Sequence, residues 1–317
     1  MSNRRIYKRY RWNNRITLYE GDCLKLMKQI PSNSVQVIIT SPPYNLGKEY
    51  ESTLTIDKYV NGFNKIIKEM NRILNNNGSI CWQVGNYIQN SSKNASIIPL
   101  DYIFYTMFNE LGYKLRNRII WSYGHGLHSH KRLSGRYETI NWFTKSDNYV
   151  FNLDNVRVHQ KYPGKRSYRG NNKGKPSGNI SGKNPTDFWS EDEIIFKELE
   201  TDVWKNIPNV KGNHIEKTEH PCQYPIILVS RLVRLLSNMN HLIFDPFVGS
   251  GATLVGAIMN GRRAAGAEIH SSYYKIALHN LKKFNVGDLK IREDRPLYKP
   301  DKNMRVARIP KEWLKNT

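Results

Sequence analysis

Acidic residues are scarce in this 317-residue chain: 27 Asp and Glu face 49 Lys and Arg, a formal net charge of +22. That excess points to a polyanionic partner, most simply nucleic acid. Cysteine is scarcer still. Cys23, Cys81 and Cys222 are widely spaced, which fits neither a disulfide framework nor a cysteine-based zinc site. They read as reduced residues of a cytosolic protein. No apolar run reaches the roughly 18 residues of a membrane span, and the Arg-rich N-terminus has no apolar signal core. Secretion and membrane insertion are therefore not expected. The glycine-rich stretch after Asp245 has no Gly-Lys-Ser/Thr, which excludes a Walker loop. Leu254 stands where the third glycine of a dinucleotide fingerprint would be.

What is present centres on Thr40-Ser41-Pro42-Pro43-Tyr44-Asn45. The run before it, Val35-Gln36-Val37-Ile38-Ile39, is short, apolar and β-branched, and reads as a buried strand. Two prolines cannot continue a sheet ladder. The chain therefore leaves the strand in a stiff, extended turn that holds Ser41 and Tyr44 at the sheet's C-terminal edge, where open α/β sheets place ligands. Such a turn suits methyl transfer to an amino group on a planar ring. The lone pair of that amine is delocalised, and acceptors for its hydrogens, such as the Ser41 hydroxyl and a proline carbonyl, favour the pyramidal form that attacks. The Tyr44 ring can stack on the base and tolerate developing positive charge. Taken alone, the tetrapeptide reads equally as an ordinary Pro-Pro turn.

A second stretch bears on that choice. His241-Leu242-Ile243-Phe244 leads into Asp245-Pro246-Phe247-Val248-Gly249-Ser250-Gly251-Ala252-Thr253. The pattern is strand, glycine-rich turn, then a helix over 252–260, and the glycines let a ligand approach the backbone. Glu268 ends the next apolar segment, where a carboxylate can take both hydroxyls of a ribose; the alternative is a solvated strand end.

The pair resembles motif IV (Ser-Pro-Pro-Tyr) and motif I (Phe-x-Gly-x-Gly) of the S-adenosylmethionine-dependent DNA amino-methyltransferases, which methylate N4 of cytosine or N6 of adenine. The catalytic motif precedes the cofactor motif, as in the circularly permuted β group of restriction-modification type. The resemblance covers roughly residues 16–284. It implies an α/β, Rossmann-like class I methyltransferase fold, with a circularly permuted seven-stranded mixed sheet and an inserted target-recognition region. It places the catalytic residues at Ser41, Pro42, Pro43 and Tyr44. It gives S-adenosyl-L-methionine as cofactor, bound by Asp22, Asp245, Phe247, Gly249, Ser250, Gly251, Thr253 and Glu268. Asp22 is also a plausible N-cap for a helix over 23–29, and both roles can hold. No metal is implied. The expected setting is the prokaryotic cytoplasm, with double-stranded DNA as substrate, a cognate restriction endonuclease as possible partner, and a monomeric or homodimeric state.

The rest of the chain divides around those motifs. Residues 16–151 read as the catalytic part, 152–219 as the recognition region and 220–284 as the cofactor-binding part, with basic extensions at 1–15 and 285–317. Residues 152–183 hold eight Lys/Arg against one acidic residue, with little periodicity. Alone this is a disordered basic linker; by the resemblance it meets DNA, with phosphate contacts supplying affinity. Candidate DNA contacts are Lys48, Lys131, Arg132, Arg136, Arg166 and Arg169, although Lys48 reads equally as a solvated loop lysine. His125, His128 and His130 sit in a cationic loop and read as DNA-facing, with a metal site as the rival. Residues 186–200 are acidic and read as a helix. His220 reads as a structural or cofactor-wall residue. No cysteine reads as an activated nucleophile, which disfavours cytosine C5 chemistry.

The expected reaction is direct transfer to the amine of a base flipped from the duplex. Ser at the first motif position, and the aromatic in Gln223-Tyr224-Pro225, resemble the N4-cytosine enzymes; Tyr44-Asn45 is common among adenine enzymes. N4-cytosine is favoured. An inactive DNA-binding subunit and an RNA methyltransferase are the other readings.

Overall fold

The Val35–Thr40 run is buried at all six residues and becomes the middle strand of a large sheet. The structure, a computed structural model, describes residues 4–44, 54–89, 96–123, 132–158, 166–174, 179, 181–190, 209–212 and 214–292. Asn45, Lys48, Lys131, the three loop histidines and most of the acidic segment 186–200 lie outside these.

In chain order the elements are β1 (Ile6–Tyr7), β2 (Ile16–Glu20), α1 (Cys23–Met27), β3 (Val35–Thr40), α2 (Ile56–Ile73), β4 (Leu74–Val84), β5 (Asn86–Gln89), β6 (Ser96–Pro99), α3 (Leu100–Glu110), β7 (Lys114–Ser122), β8 (Tyr137–Thr144), β9 (Phe188–Ser190), α4 (Ile226–Leu236), β10 (Leu242–Asp245), α5 (Ala252–Met259), β11 (Arg263–Glu268) and α6 (Ser271–Val286). The large sheet has the order β1-β2-β11-β10-β3-β4-β8-β7-β9, and β5 pairs only with β6. Every neighbouring pair in the large sheet is parallel except β8, which runs antiparallel to both β4 and β7.

The sheet therefore has nine strands, not the expected seven. The two extra strands are its edges. The two-residue β1 and three-residue β9 are too short to carry a periodicity of their own. The first lies in the basic N-terminal stretch, where Ile6 and Tyr7 pair with Ile16 and Thr17. The second lies in the segment that reads as an acidic helix; there Phe188 and Trp189 extend instead along Ile120 and Trp121, and Trp189 is buried. The Asn75-Asn76-Asn77-Gly78 run reads as the stop of a helix over 57–74, and α2 does end there, at Ile73. The chain turns at Leu74, whose backbone is already extended, and passes directly into β4. Gly78 is required there by space: a Cβ would stand 2.9 Å from the carbonyl oxygens of both Asn75 and Gln36.

Both faces of the sheet are covered. Val37 and Ile39 point toward α4 and α5, packing with Leu232, Val233 and Val255; Ile38 points the other way, packing with Ile67 and Phe104 of α2 and α3. This alternation follows from the period-two geometry of a strand. Burying each such side chain is worth about 1.5–3 kcal/mol, so a central strand apolar on both faces is strongly committed to this position. Among the described residues no helix is long and apolar enough to cross a membrane.

One pairing sets up the site. β3 and β10 are sheet neighbours, with Val37 opposite Ile243 and Ile38 opposite Phe244. Their C-terminal ends therefore release two loops side by side, although Thr40 and Asp245 are 205 residues apart in sequence.

Candidate active site

The Ser41–Tyr44 turn and the glycine-rich turn after β10 face each other across a cavity of ≈ 390 Å³. Ser41, Pro42, Pro43 and Tyr44 line it on one side, and Phe247, Gly249, Ser250 and Glu268 on the other, with Asp22 closing one end. Asp245, Gly251 and Thr253 do not line the cavity; they stand behind its wall.

Asp245 shows why. It is fully buried, and its carboxylate is occupied inside the fold. Oδ1 accepts from the Thr40 hydroxyl at 2.6 Å and from the Phe247 N–H at 2.9 Å, while Oδ2 accepts from the Tyr224 hydroxyl at 3.2 Å. Burial pushes this carboxyl up to about 6, and its donors pull the other way. Thr253 adds a second tie: its hydroxyl donates to the Ile39 carbonyl at 3.3 Å and lies 2.5 Å from the Tyr224 hydroxyl. Asp245 and Thr253 thus clamp the end of β3 to the start of the glycine-rich turn, and they fix how the two walls of the cavity face each other. Gly251 serves the same wall, its φ of +91° letting the turn enter α5 with Ala277 close by.

Glu268 ends β11 and is nearly buried. Its Oε2 accepts the Gly249 N–H at 2.8 Å and its Oε1 accepts the His270 N–H at 2.9 Å, and burial raises its pKa. Its backbone carbonyl accepts the Gly21 N–H at 2.8 Å. Glu268 therefore joins three loops and still presents its carboxylate to the cavity. Asp22 is the expected N-cap of α1, its Oδ1 accepting the Leu24 N–H at 2.8 Å, and it also lines the cavity. His220 forms part of the same wall, edge-on to Tyr273 with ring centroids 4.4 Å apart. Burial pushes its imidazole down to about 4, so it is neutral near pH 7 and suits a wall rather than a base.

On the opposite wall, Ser41 Oγ and the Tyr44 hydroxyl oxygen lie 2.7 Å apart, with either able to donate. The Tyr59 hydroxyl donates to the Pro43 carbonyl at 2.6 Å, which ties the turn to α2. Tyr44 is buried, and both burial and the Glu138 charge hold its phenol well above the ordinary tyrosine range.

Residues 137–145 resemble the family's late strand near the target base, but nothing in the sequence gives Glu138 a role of its own within it, or gives one to Gln83 or Tyr123. Glu138 accepts from Gln83 Nε2 at 2.7 Å, from the Tyr44 hydroxyl at 3.3 Å and from the Tyr123 hydroxyl at 3.4 Å. Its signal was that of the one charged residue of the strand over 137–144. Cys222, preceded by Pro221, lines the cavity and is exposed.

None of the described DNA candidates lines this cavity. Arg132 donates from Nη1 to the Leu133 carbonyl at 3.2 Å, and the Arg136 carbonyl accepts the Tyr123 N–H at 2.8 Å, which anchors the segment entering β8 to the end of β7. Arg166 donates to the Gly174 carbonyl at 2.7 Å, closing a local turn, and the Arg169 guanidinium sits 5.6 Å from the centre of the exposed Tyr168 ring.

Comparison with known proteins fits this arrangement. Residues 35–279 match the DNA methylase family of N6/N4 methyltransferases. The type II methyltransferase M.BglII of Bacillus subtilis is 42% identical over 260 residues, covering 82% of this chain and 67% of the relative. The DNA adenine methyltransferase YhdJ of Escherichia coli (strain K12) is 31% identical over 277 residues, covering 85% of this chain and 83% of the relative. Among solved structures, the PvuII DNA methyltransferase (cytosine-N4-specific) shares the fold with a TM-score of 0.61 at 21% identity, over 84% of this chain and 85% of that one. This chain belongs to the S-adenosylmethionine-dependent DNA amino-methyltransferases.

Proposed function

We propose that the protein methylates N4 of a cytosine flipped out of duplex DNA. The observation that carries this reading is the shared cavity, in which the Ser41–Tyr44 turn faces Gly249 and Glu268 across a wall clamped by Thr40 and Asp245.

The residues present fit the cofactor. The Glu268 carboxylate keeps lone pairs beyond those taken by Gly249 and His270, enough to accept from a ribose diol. Gly249, in a left-handed conformation with φ of +53°, leaves the turn without a side chain at the cavity wall. Asp22, Phe247 and Ser250 complete this side. When bound, S-adenosylmethionine supplies an electrophilic methyl group.

The chain's own residues do the rest. Tyr44 offers a ring for the flipped base to stack on. Ser41 Oγ and the Pro42 carbonyl accept the amine's hydrogens, turning its lone pair toward the methyl. Orientation supplies most of the acceleration, because both reactants sit on walls that the Asp245 clamp holds in one geometry. Lys48, Lys131, Arg132, Arg136, Arg166 and Arg169 hold phosphate, and residues 152–219 carry recognition of the target sequence.

The choice of cytosine rests on Ser41 at the first motif position. The second reading, N6 of adenine, is supported by Tyr44-Asn45 and by the resemblance to an adenine methyltransferase at 31% identity. Nucleoside mass spectrometry on plasmid DNA treated with the protein and S-adenosylmethionine separates them. N4-methylcytosine is the expected product; N6-methyladenine would keep the site and overturn the base, and no methylated base at all would overturn the reading.

The position of Cys222 makes a further check useful, since a cysteine beside a proline suggests the covalent attack used in cytosine C5 chemistry. Cys222→Ser is expected to keep its methylation rate within about twofold, as for a surface change with no reacting role. Loss of activity, with 5-methylcytosine as the wild-type product, would assign the chemistry to Cys222 instead.

A further inference from the structure

We propose that Glu138 is the terminal proton acceptor of the methylation site, reached from Ser41 through the Tyr44 hydroxyl. The proposal rests on the reading that Ser41 accepts a hydrogen of the target amine.

The chemistry leaves a proton to be placed. Transfer forms the N–CH3 bond, breaks the S–CH3 bond and leaves the exocyclic nitrogen with one proton too many. Ser41 can take that proton only by giving up its own, because a neutral hydroxyl that accepts without donating becomes an oxonium. The same holds for Tyr44. A relay through two hydroxyls therefore needs a group at its far end that stores the proton, and a carboxylate does so.

The geometry provides this line. Ser41 Oγ is 2.7 Å from the Tyr44 hydroxyl oxygen, and that hydroxyl donates to Glu138 Oε2 at 3.3 Å. One step moves the amine proton to Ser41 Oγ, the Ser41 proton to Tyr44 and the Tyr44 proton to Glu138. Glu138 ends as a neutral acid, and the two hydroxyls are regenerated. Gln83 Nε2, 2.7 Å from the same Oε2, holds the carboxylate in place, and Tyr123 donates to the other oxygen at 3.4 Å.

The fold explains why an acid of β8 reaches this point. The parallel strands present their C-terminal ends at the cavity, whereas β8 runs antiparallel and brings its N-terminal end to that edge. Glu138, paired with Trp121, sits one residue inside that end. Its electrical surroundings suit a group that must take a proton reversibly. Burial raises its pKa, while Gln83, Lys211 and the two phenols act against that rise. The groups facing it are Gln83, Tyr44, Tyr123 and Lys211; Cys222 acts on both phenols and Arg136 on Tyr123. The balance leaves the Glu138 carboxyl raised from its ordinary value, with burial the largest cause, and it accepts a proton only in its ionised form.

The test is single-turnover methylation of plasmid DNA with radiolabelled cofactor, followed from about pH 5 to 9 in the wild type, Glu138→Gln, Tyr44→Phe and Ser41→Ala. In the wild type the rate should rise with pH as Glu138 ionises. Glu138→Gln keeps the shape and the acceptor for Gln83, and should lower the rate about 100-fold and abolish the acid limb. Its affinity for cofactor should stay unchanged. Tyr44→Phe keeps the stacking ring and cuts the relay, so it should lose the same limb. A wild-type rate in Glu138→Gln overturns the proposal. So does a lowered rate that keeps the acid limb, because Glu138 would then only anchor Tyr44. If Glu138→Gln fails to fold, Tyr44→Phe decides alone, a retained limb being the overturning result. Ser41→Ala separates the two readings: full activity there would remove the underlying acceptor role, whereas an impaired Ser41→Ala beside an unimpaired Glu138→Gln would remove only the relay.

Discussion

Ser41→Ala should lower the methylation rate by about 10²- to 10³-fold, the cost of losing one group aimed at charge that develops in the transition state. Tyr44→Ala should do at least as much, since it removes the stacking face and the partner of Ser41 together. Neither change should move the affinity for S-adenosylmethionine by more than a few-fold, because neither side chain bonds to the glycine-rich wall. Ser41 is the cleaner probe of the two. Among the described residues its hydroxyl has one side-chain partner, the Tyr44 hydroxyl, and Tyr44 keeps its contact with Glu138 when that partner is lost. The measurement is a single-turnover rate beside a calorimetric titration of the cofactor. Full activity in both variants would sink the catalytic assignment. A matched loss of rate and of cofactor affinity would move Ser41 into the cofactor pocket instead.

Gly249→Val should abolish detectable cofactor binding while the fold persists. Two effects combine. Gly249 has a φ of +53°, and a β-branched side chain there is strained, by roughly 1–2 kcal/mol or more. The added Cβ would also stand 3.0 Å from the His220 imidazole, itself packed on Tyr273. Relief of that contact requires movement of either the ring or the turn, and the turn carries the N–H that Glu268 accepts. The expected loss is therefore not only a side chain in the way but a displaced carboxylate. Titration with S-adenosylmethionine reads the affinity, and circular dichroism with thermal unfolding reads the fold. Normal binding by a folded Gly249→Val would place the cofactor pocket elsewhere. Gly249→Ala, with the same Cβ and no branching, should show an intermediate loss.

Much of this was legible in the residues. β3 announced itself because it is β-branched, apolar on both faces and ended by two prolines. β10 and α5 were legible for a similar reason, an apolar run closed by Asp-Pro and a glycine-rich turn. α2 and α4 are visible through apolar residues at helical spacing over 57–74 and 225–236, and their observed bounds lie within two residues of these. Other elements gave no such signal. β1 and β9 hold two and three residues, too few to define a period, and exist only because an exposed sheet edge was there to pair with. The Asn75–Gly78 run reads as a helix stop by composition, and α2 does end just before it; the pairing with β3 skips the run, passing from Leu74 to Ser79.

The candidate site divides along the same line. The sequence by itself determined the chemistry available, since Ser-Pro-Pro-Tyr and the glycine-rich turn keep their character wherever they fold, and it determined that their strands end at one edge. Only the tertiary structure decided which carboxylate does what. Asp245 reads as a ligand for the cofactor, but its surroundings turn it inward to Thr40, Phe247 and Tyr224. Glu138 reads only as part of a late strand near the target base, but the antiparallel run of β8 brings it to Tyr44. The physical reason is that the work an acid can do depends on which donors surround it and how far it is from water, and both are set by strands far apart in the chain.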